Sequence, residues 1–259
     1  MKIKLIVAAH KKYRMPEGEL YFPLQVGAAG KDDLGYARDD TGDNISAWNP
    51  TYCELTGLYW MWKNMDADYL GLVHYRRLFV NPGFFRKKAP YSRLLDNAHA
   101  ESLLQGREGA LPKKRNYFIE TIYSHYAHTH YAEHLDTVRK ILSERCPEYL
   151  SAFDRLMHGT KAHMFNMMIL RRDKLDSYCS WLFPILRELT QRVDASDYDD
   201  FQARYPGRVS ELLLNVWVET QKLDYVEIPV VMIGSVNWKQ KIFAFLRAKF
   251  CGARYKGSF

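Results

Sequence analysis

The 259-residue sequence has few cysteines, and none are paired in motif. Cys53, Cys146, Cys179 and Cys251 stand far apart with no Cys-x-x-Cys spacing. That argues against a zinc ribbon or a disulfide framework. Long apolar runs are also missing. No stretch approaches the roughly 20 apolar residues of a membrane-spanning helix, and the opening run Leu5 to Ala9 is too short for a secretory signal. The expected location is therefore the cytoplasm. There is no internal repeat and no low-complexity linker. Acidic residues are absent from the tail: the last 22 residues, "WKQKIFAFLRAKFCGARYKGSF", carry six basic side chains and no acid. The net charge of +7 thus lies almost wholly in the tail, and the remaining body is near neutral. A nucleic-acid binder would more often spread basic charge over its fold.

What is present is a packed globular chain, 47% hydrophobic and 14% aromatic. "IKLIVAAH" reads as a first buried strand ending at His10, and "PLQVGAAG" as a short strand running into glycines. Residues 31–50 are polar and turn-rich, long enough for a functional loop. A helix is expected from Thr51 to Asn64, with Leu55, Leu58, Tyr59 and Trp62 on one face. "YLGLVHY" is a second buried strand. Residues 80–115 read as irregular, and "YFIETIY" as a possible strand. Helices are expected from Tyr131 to Glu144, over "KLDSYCSWLFPILREL" with a bend or break at Pro184, and over "SELLLNVWVETQKL". "MFNMMILRR" and "YVEIPVVMI" complete the strands. Alternating strands and helices predict an α/β fold with a mostly parallel, Rossmann-like sheet flanked by helices. It would span residues 1–236, with a basic amphipathic helix in 237–259.

In such a sheet the carboxyl ends of strands face the ligand crevice. Asp66 and Asp68 precede the strand Tyr69 to Val73, at the wrong end to act as a metal-holding triplet. His74, Tyr75, Arg76 and Arg77 follow it, at the right end. Two adjacent guanidinium groups suit a diphosphate; the alternative is a salt bridge to the acids of residues 39–43. Ala8, Ala9, His10 and Lys11, with Val26 and Gly27, stand where a nucleotide would bind, the small residues allowing close backbone approach. Asn44 and Ser46 are candidates for sugar hydroxyls. His163 and Asn166 are too, beside the alternative of core hydrogen bonding. Asp39, Asp40 and Asp43 read as solvated turn acids that keep a metal conceivable. Glu54 and Glu211, near helix starts, are candidate bases, although a carboxylate there also simply complements the helix dipole. On one helix His130 and His134 would share a face, but the pattern around them completes no zinc site.

"DDTGDNISAWNPTYCELTGLYWMWKN" followed by "YLGLVHYRRLF" resembles a family of bacterial proteins encoded in capsular and exopolysaccharide clusters. The family is catalogued as a domain of unknown function and commonly treated as glycosyltransferase. The resemblance extends to "AHMFNMMILRRDKLDSYCSWLFPIL" and "RVSELLLNVW" and covers most of residues 3–220. It implies a GT-A-like fold and a transferase using a nucleotide-diphosphate sugar, UDP-linked and galactose-type, galactofuranose included. It favours Glu211, which lies in a family-like motif, as the catalytic base beside Arg76 and Arg77. With two fixed cations in place of a metal, no cofactor is expected, although Mg2+ or Mn2+ would also suit a diphosphate. The acceptor would be a lipid-linked oligosaccharide, met at the inner face of the cytoplasmic membrane through the tail, where Ile242, Phe243, Leu246 and Phe250 share a helix face. The alternative is a non-catalytic sugar-nucleotide or glycan-binding subunit of a polysaccharide-assembly complex.

Overall fold

A computed structural model describes residues 1–83 and 90–234. The expected basic helix of 237–259 lies outside them. In chain order the strands are β1 (Ile3–Ala9), β2 (Tyr21–Gln25), β3 (Ala37–Arg38), β4 (Tyr69–His74), β5 (Arg77–Phe79), β6 (Gly109–Pro112), β7 (Arg115–Asn116), β8 (Lys161–Ala162), β9 (Met168–Arg171), β10 (Tyr225–Ile228) and β11 (Val230–Met232). The helices are α1 (Asn49–Tyr52), α2 (Leu55–Asn64), α3 (Asn97–Leu104), α4 (Ile122–Thr129), α5 (Glu133–Arg145), α6 (Leu150–His158), α7 (Arg172–Arg192) and α8 (Tyr205–Thr220).

The main sheet runs β10-β6-β9-β4-β1-β2-β3, with β5 pairing β4 and β11 pairing β5 at one end. Strands β3, β2, β1 and β4 are mutually parallel, and so are β6 and β10. Strand β9 is inserted antiparallel to both β4 and β6. The sheet is therefore mostly parallel, as expected. From β1 the chain steps outward to β2 and β3, then crosses back to place β4 on the other side of β1. This reversal opens a crevice at the carboxyl ends of β1 and β4.

Both faces of the sheet are covered, which is why its central strands read as continuous apolar runs. Ile6, Ala8, Leu70, Leu72, Met168 and Leu170 pack on the side of α2 and α5–α8. Their neighbours Leu5, Val7, Tyr69, Val73 and Ile169 pack on the opposite side with Ala100 and Leu104 of α3. No described helix is long and apolar enough to cross a membrane.

Several local expectations change. The helix expected from Thr51 is two helices broken at Cys53, whose φ is 53°. Residues 80–115 hold α3, capped by the Asp96 side chain, and β6. "YFIETIY" is a turn followed by α4, because Phe118 takes a φ of 56°. The strand expected over "MFNMMILRR" starts only at Met168, after left-handed residues at 165 and 166. Pro229, which has no N–H to give, separates β10 from β11. Helix α7 continues through Pro184 unbroken. Pro184 and Ser180, whose carbonyl loses its partner, both face solvent, so water can satisfy that oxygen.

Glycines at 71 and 109 let β9 slot between its neighbours. A Cβ on Gly71 would stand 2.4 Å from Leu5 Cδ2 and 2.6 Å from the Met168 carbonyl oxygen. One on Gly109 would stand 2.6 Å from the Ile169 oxygen. Gly71→Ala is expected to cost about 1–3 kcal/mol through overpacking against backbone. A lowered urea midpoint with an unchanged slope would report it.

Candidate active site

The crevice is bordered first by the loop after β2. Asp39, directly after β3, is fully buried. Its carboxylate accepts from the Gly27 and Ala28 N–H groups at 2.8 and 2.9 Å and from the Ser46 and Thr56 hydroxyls at 2.5 and 2.6 Å. This corrects the reading of Asp39 as a solvated turn acid. It is an internal acceptor that shapes the Gly27 turn. Gly27 has a φ of +62°, and a Cβ there would meet the Asn49 side chain at 2.3 Å. Asp40 pairs with Arg38 at 2.7 Å, and Asp43 accepts from the Tyr59 hydroxyl at 3.1 Å. Asn44 bridges the Gly42 carbonyl and the Ser46 N–H. Asn44 and Ser46 thus brace this loop, and Ser46 is buried. Val26 donates its N–H to the Ala9 carbonyl at 2.9 Å, tying the ends of β1 and β2 together.

"HYRR" forms a tight hairpin. His74 ends β4, Arg77 begins β5 directly opposite, and Tyr75 and Arg76 make the turn. Arg76 therefore stands in the turn and Arg77 in the strand after it, near enough that the Arg76 charge adds to the lowering of the Arg77 pKa. The Tyr75 ring meets His10 and Tyr13 edge-on at 5.3 and 5.0 Å. Arg76 fixes the turn through its carbonyl, which accepts from Ile233 N–H at 2.8 Å. Arg77 lies 4.5 Å over the Phe165 ring. Burial lowers its pKa, while the Glu211 and Glu54 carboxylates oppose that shift. The acids of residues 39–43 are not its partners.

Behind Arg77 runs a loop with two consecutive residues in the left-handed region, Phe165 at φ 78° and Asn166 at φ 52°. Asparagine tolerates this conformation; phenylalanine pays strain there. The loop is held from three sides. Phe165 N–H donates to Glu211 Oε2 at 2.8 Å, and the Phe165 carbonyl accepts from His74 Nε2. Asn166 Nδ2 donates to Glu54 Oε1 at 2.7 Å and to the Gly207 carbonyl at 2.9 Å, and its Oδ1 accepts from Ser210 at 2.8 Å. A carbonyl can only accept, so His74 carries its proton on Nε2. Burial keeps its imidazole pKa low.

Glu54 follows the Cys53 break, and Glu211 projects from α8. Gly207 in the first turn of α8 lets that helix approach: a Cβ there would lie 3.3 Å from Cys53 Cβ. Burial and the neighbouring Glu54 push Glu211 up to about 7, against the pull of the Phe165 N–H, Arg77 and Arg208. Arg208, one helical turn before Glu211, lies 4.0 Å over the Phe201 ring. Among the described residues nothing accepts from the buried Nε atoms of Arg77 and Arg208. A guanidinium donor left open in this way is available to a bound anion. Further cations rim the crevice. Burial lowers the pKa of His10, with Lys11, Arg204 and Lys31 adding to it. Burial and Glu54 push the Cys53 thiol up to about 12, while Arg204 and Arg208 oppose this.

The structure thus brings His74, Arg77, Asn166 and Glu211 into one cluster, with His10, Lys11 and Tyr75 beside it. His163 stands apart. It is buried, donates from Nδ1 to the Pro112 carbonyl, and bonds Tyr225 and Asn215. Sequence reasoning did not single out Arg204, Arg208, Lys31 or Phe165, and it ranked Glu54 second. Arg208 had a usable signal, its i,i+3 spacing from Glu211. Asp68 is at the opposite end of β4, where it accepts from the Lys2 N–H at 2.7 Å. His130 closes α4 and His134 belongs to α5, so the expected shared helix face does not exist. His134 bonds the Tyr126 and Tyr198 hydroxyls, and His130 bonds Gln202. Among the described residues no group of three or more His, Cys, Asp or Glu is placed to hold a metal ion.

A mostly parallel sheet flanked by helices is a fold shared with a known glycosyltransferase. The structure described as the WbbM bifunctional glycosyltransferase, apo form, matches with a TM-score of 0.82 and 27% identity. The match covers 91% of this chain and 46% of that one, so the chain spans less than half the length of that protein. The model of the family described as Domain of unknown function (DUF4422) matches residues 4–222, and the chain belongs to that family. No curated protein matches it.

The raised Glu211 pKa makes stability depend on pH. Between the ordinary carboxyl value of 4.5 and about 7, the folded protein holds a proton that the unfolded chain has released. Glu211 therefore contributes stability that is full below about pH 4.5 and is lost as pH rises towards 7, with a slope of at most about 1.4 kcal/mol per pH unit. Urea unfolding at pH 5, 6 and 7.5 is expected to show this fall in the wild type and not in Glu211→Gln.

Proposed function

We propose that this chain is a glycosyltransferase that moves a hexose from a nucleotide-diphosphate sugar to a glycan acceptor. The observation that carries the reading is the gathering of two half-buried guanidinium groups, Arg77 and Arg208, whose Nε donors have no partner among the described residues, with two half-buried carboxylates, Glu54 and Glu211, at the crevice of a glycosyltransferase-like sheet. In this reading Ala8, Ala9, His10, Lys11, Val26 and Gly27 line the nucleotide end. Arg77 and Arg208, with Arg76 at the turn, balance the charge of the departing diphosphate. Glu211 is the base. A carboxylate with a pKa near 7 is strong enough to take a proton from an acceptor hydroxyl yet largely ionised just above neutrality. Glu54 raises that pKa by like charge, and Asn166 holds Glu54 in position.

Metal independence belongs to the same proposal. Its support is the His-Tyr-Arg-Arg hairpin at the carboxyl end of β4, where a metal-binding acid triplet would have to stand. The finer features rest on the family resemblance: a UDP donor, a galactose-type or galactofuranose sugar, and a lipid-linked acceptor for capsule, exopolysaccharide or O-antigen. The basic tail would then hold the enzyme peripherally at the inner face of the membrane.

Incubating the purified protein with UDP-hexoses and a glycan acceptor tests the reading. Nucleoside diphosphate release that survives chelator is expected. Arg77→Gln should lower kcat about 10²–10³-fold. Glu211→Gln should lower it about 10²–10⁴-fold with donor binding kept. Donor binding without turnover would instead support a non-catalytic subunit, and no binding of any nucleoside diphosphate would remove both readings.

A further inference from the structure

Beside the crevice lies a surface that the proposed reaction does not use. The chain leaves β6 at Pro112 and runs through Lys113, Lys114 and Arg115, all exposed, into a turn that lifts Phe118 and Ile119 off the body. These two side chains are 80% and 71% exposed, the most exposed large hydrophobic residues among those described. The turn has a defined shape. Phe118 has a φ of 56° and gives its N–H to Asn116 Oδ1 at 2.9 Å, and Ile119 N–H reaches the Tyr117 carbonyl at 2.7 Å. Tyr117 is pinned to the Thr160 carbonyl at 2.9 Å, and Ile122 is buried at the start of α4. Below the turn, the buried Glu120 carboxylate takes hydrogen bonds from His125 and His128 at 2.9 and 3.0 Å.

Lys161 sits opposite Asn116 in the β7–β8 pair and adds a fourth exposed cation to this face. Among the described residues Lys113, Lys114 and Lys161 have no acidic partner. The acid on this side with an exposed carboxylate is Glu227 of β10, which faces His163 at 3.9 Å. Glu120 is buried beneath its histidines. The face is therefore a cluster of cations around two protruding apolar side chains. Water solvates the cations well but not the apolar pair. An anionic lipid surface satisfies both, since headgroups attract lysine and arginine while the acyl boundary takes up phenylalanine and isoleucine.

We infer that the turn formed by residues 113–119 docks on an anionic lipid bilayer, with Phe118 and Ile119 entering the headgroup–acyl boundary. The inference does not depend on catalysis or on the basic tail. It has a consequence for orientation, because Tyr117, next to Phe118, lies within the field of Glu211. Docking through this turn would bring the crevice mouth close to the lipid surface.

The test uses the full chain and vesicles of phosphatidylglycerol in phosphatidylethanolamine, with phosphatidylcholine vesicles as the neutral control. Phe118→Trp adds one tryptophan to the six present. Relative to wild type, the added emission should shift to the blue and be quenched by brominated acyl chains on anionic vesicles only. Replacing Lys113, Lys114 and Arg115 together by Gln should weaken partitioning about tenfold or more, and Phe118→Ser with Ile119→Ser should weaken it further. If the introduced tryptophan stays in water while the protein sediments with vesicles, the tail does the binding and the inference fails. It fails equally if the protein ignores anionic vesicles, or if both sets of variants partition like the wild type.

Discussion

Charge half-buried at the sheet crevice is the constraint around which the rest of this structure is arranged. Glu54, Glu211, Arg77 and Arg208 are each partly shielded from water, where an unbalanced charge is costlier than at the open surface. Balance comes partly from opposite charge and partly from geometry. The Phe165 N–H and the Asn166 amide each serve one carboxylate, while the guanidinium groups rest on aromatic faces. The positive-φ backbone at Phe165 and Asn166 is what lets one loop reach both acids. Such strain persists only where the surroundings hold it in place. Here Ser210, Gly207 and His74 do so.

A second buried carboxylate solves a different problem. Asp39 faces neutral donors, two backbone N–H groups and two hydroxyls, and so folds residues 27–56 around itself. Glu211 faces another carboxylate, and its proton is held up to about pH 7. One acid is kept as an acceptor by hydrogen bonds. The other is kept near its titration point by burial and like charge. The first gives the crevice its shape, and the second gives it a group able to change protonation near neutrality.

Much of this was legible along the chain. The apolar runs of β1 and β4, the helical spacing in α5 and α8, and the place of His74–Arg77 after a strand rather than before it all carried over. So did the place of Asp66 and Asp68 before β4, at the end opposite His74. Less legible was anything set by a single backbone angle. Cys53 at φ 53° splits a helix whose apolar spacing looks continuous, and Phe118 turns a β-rich stretch into a loop. Residues 164–167, apolar enough for a strand, form the loop that organises the site. No periodicity signals this, because the demand comes from partners more than 40 residues away in sequence.

The sequence alone determined which segments could be buried, that strands and helices alternate, and that cations rather than acids follow β4. Those are local matters of side-chain polarity and spacing. Tertiary structure decided which neighbours share a site. It put Arg76 in a hairpin turn and Arg77 in the strand after it, moved Asp39 and His163 into the interior, and joined Glu54 and Arg208 to Glu211. The energy of a buried charge depends on groups that only the folded chain brings within a few ångströms.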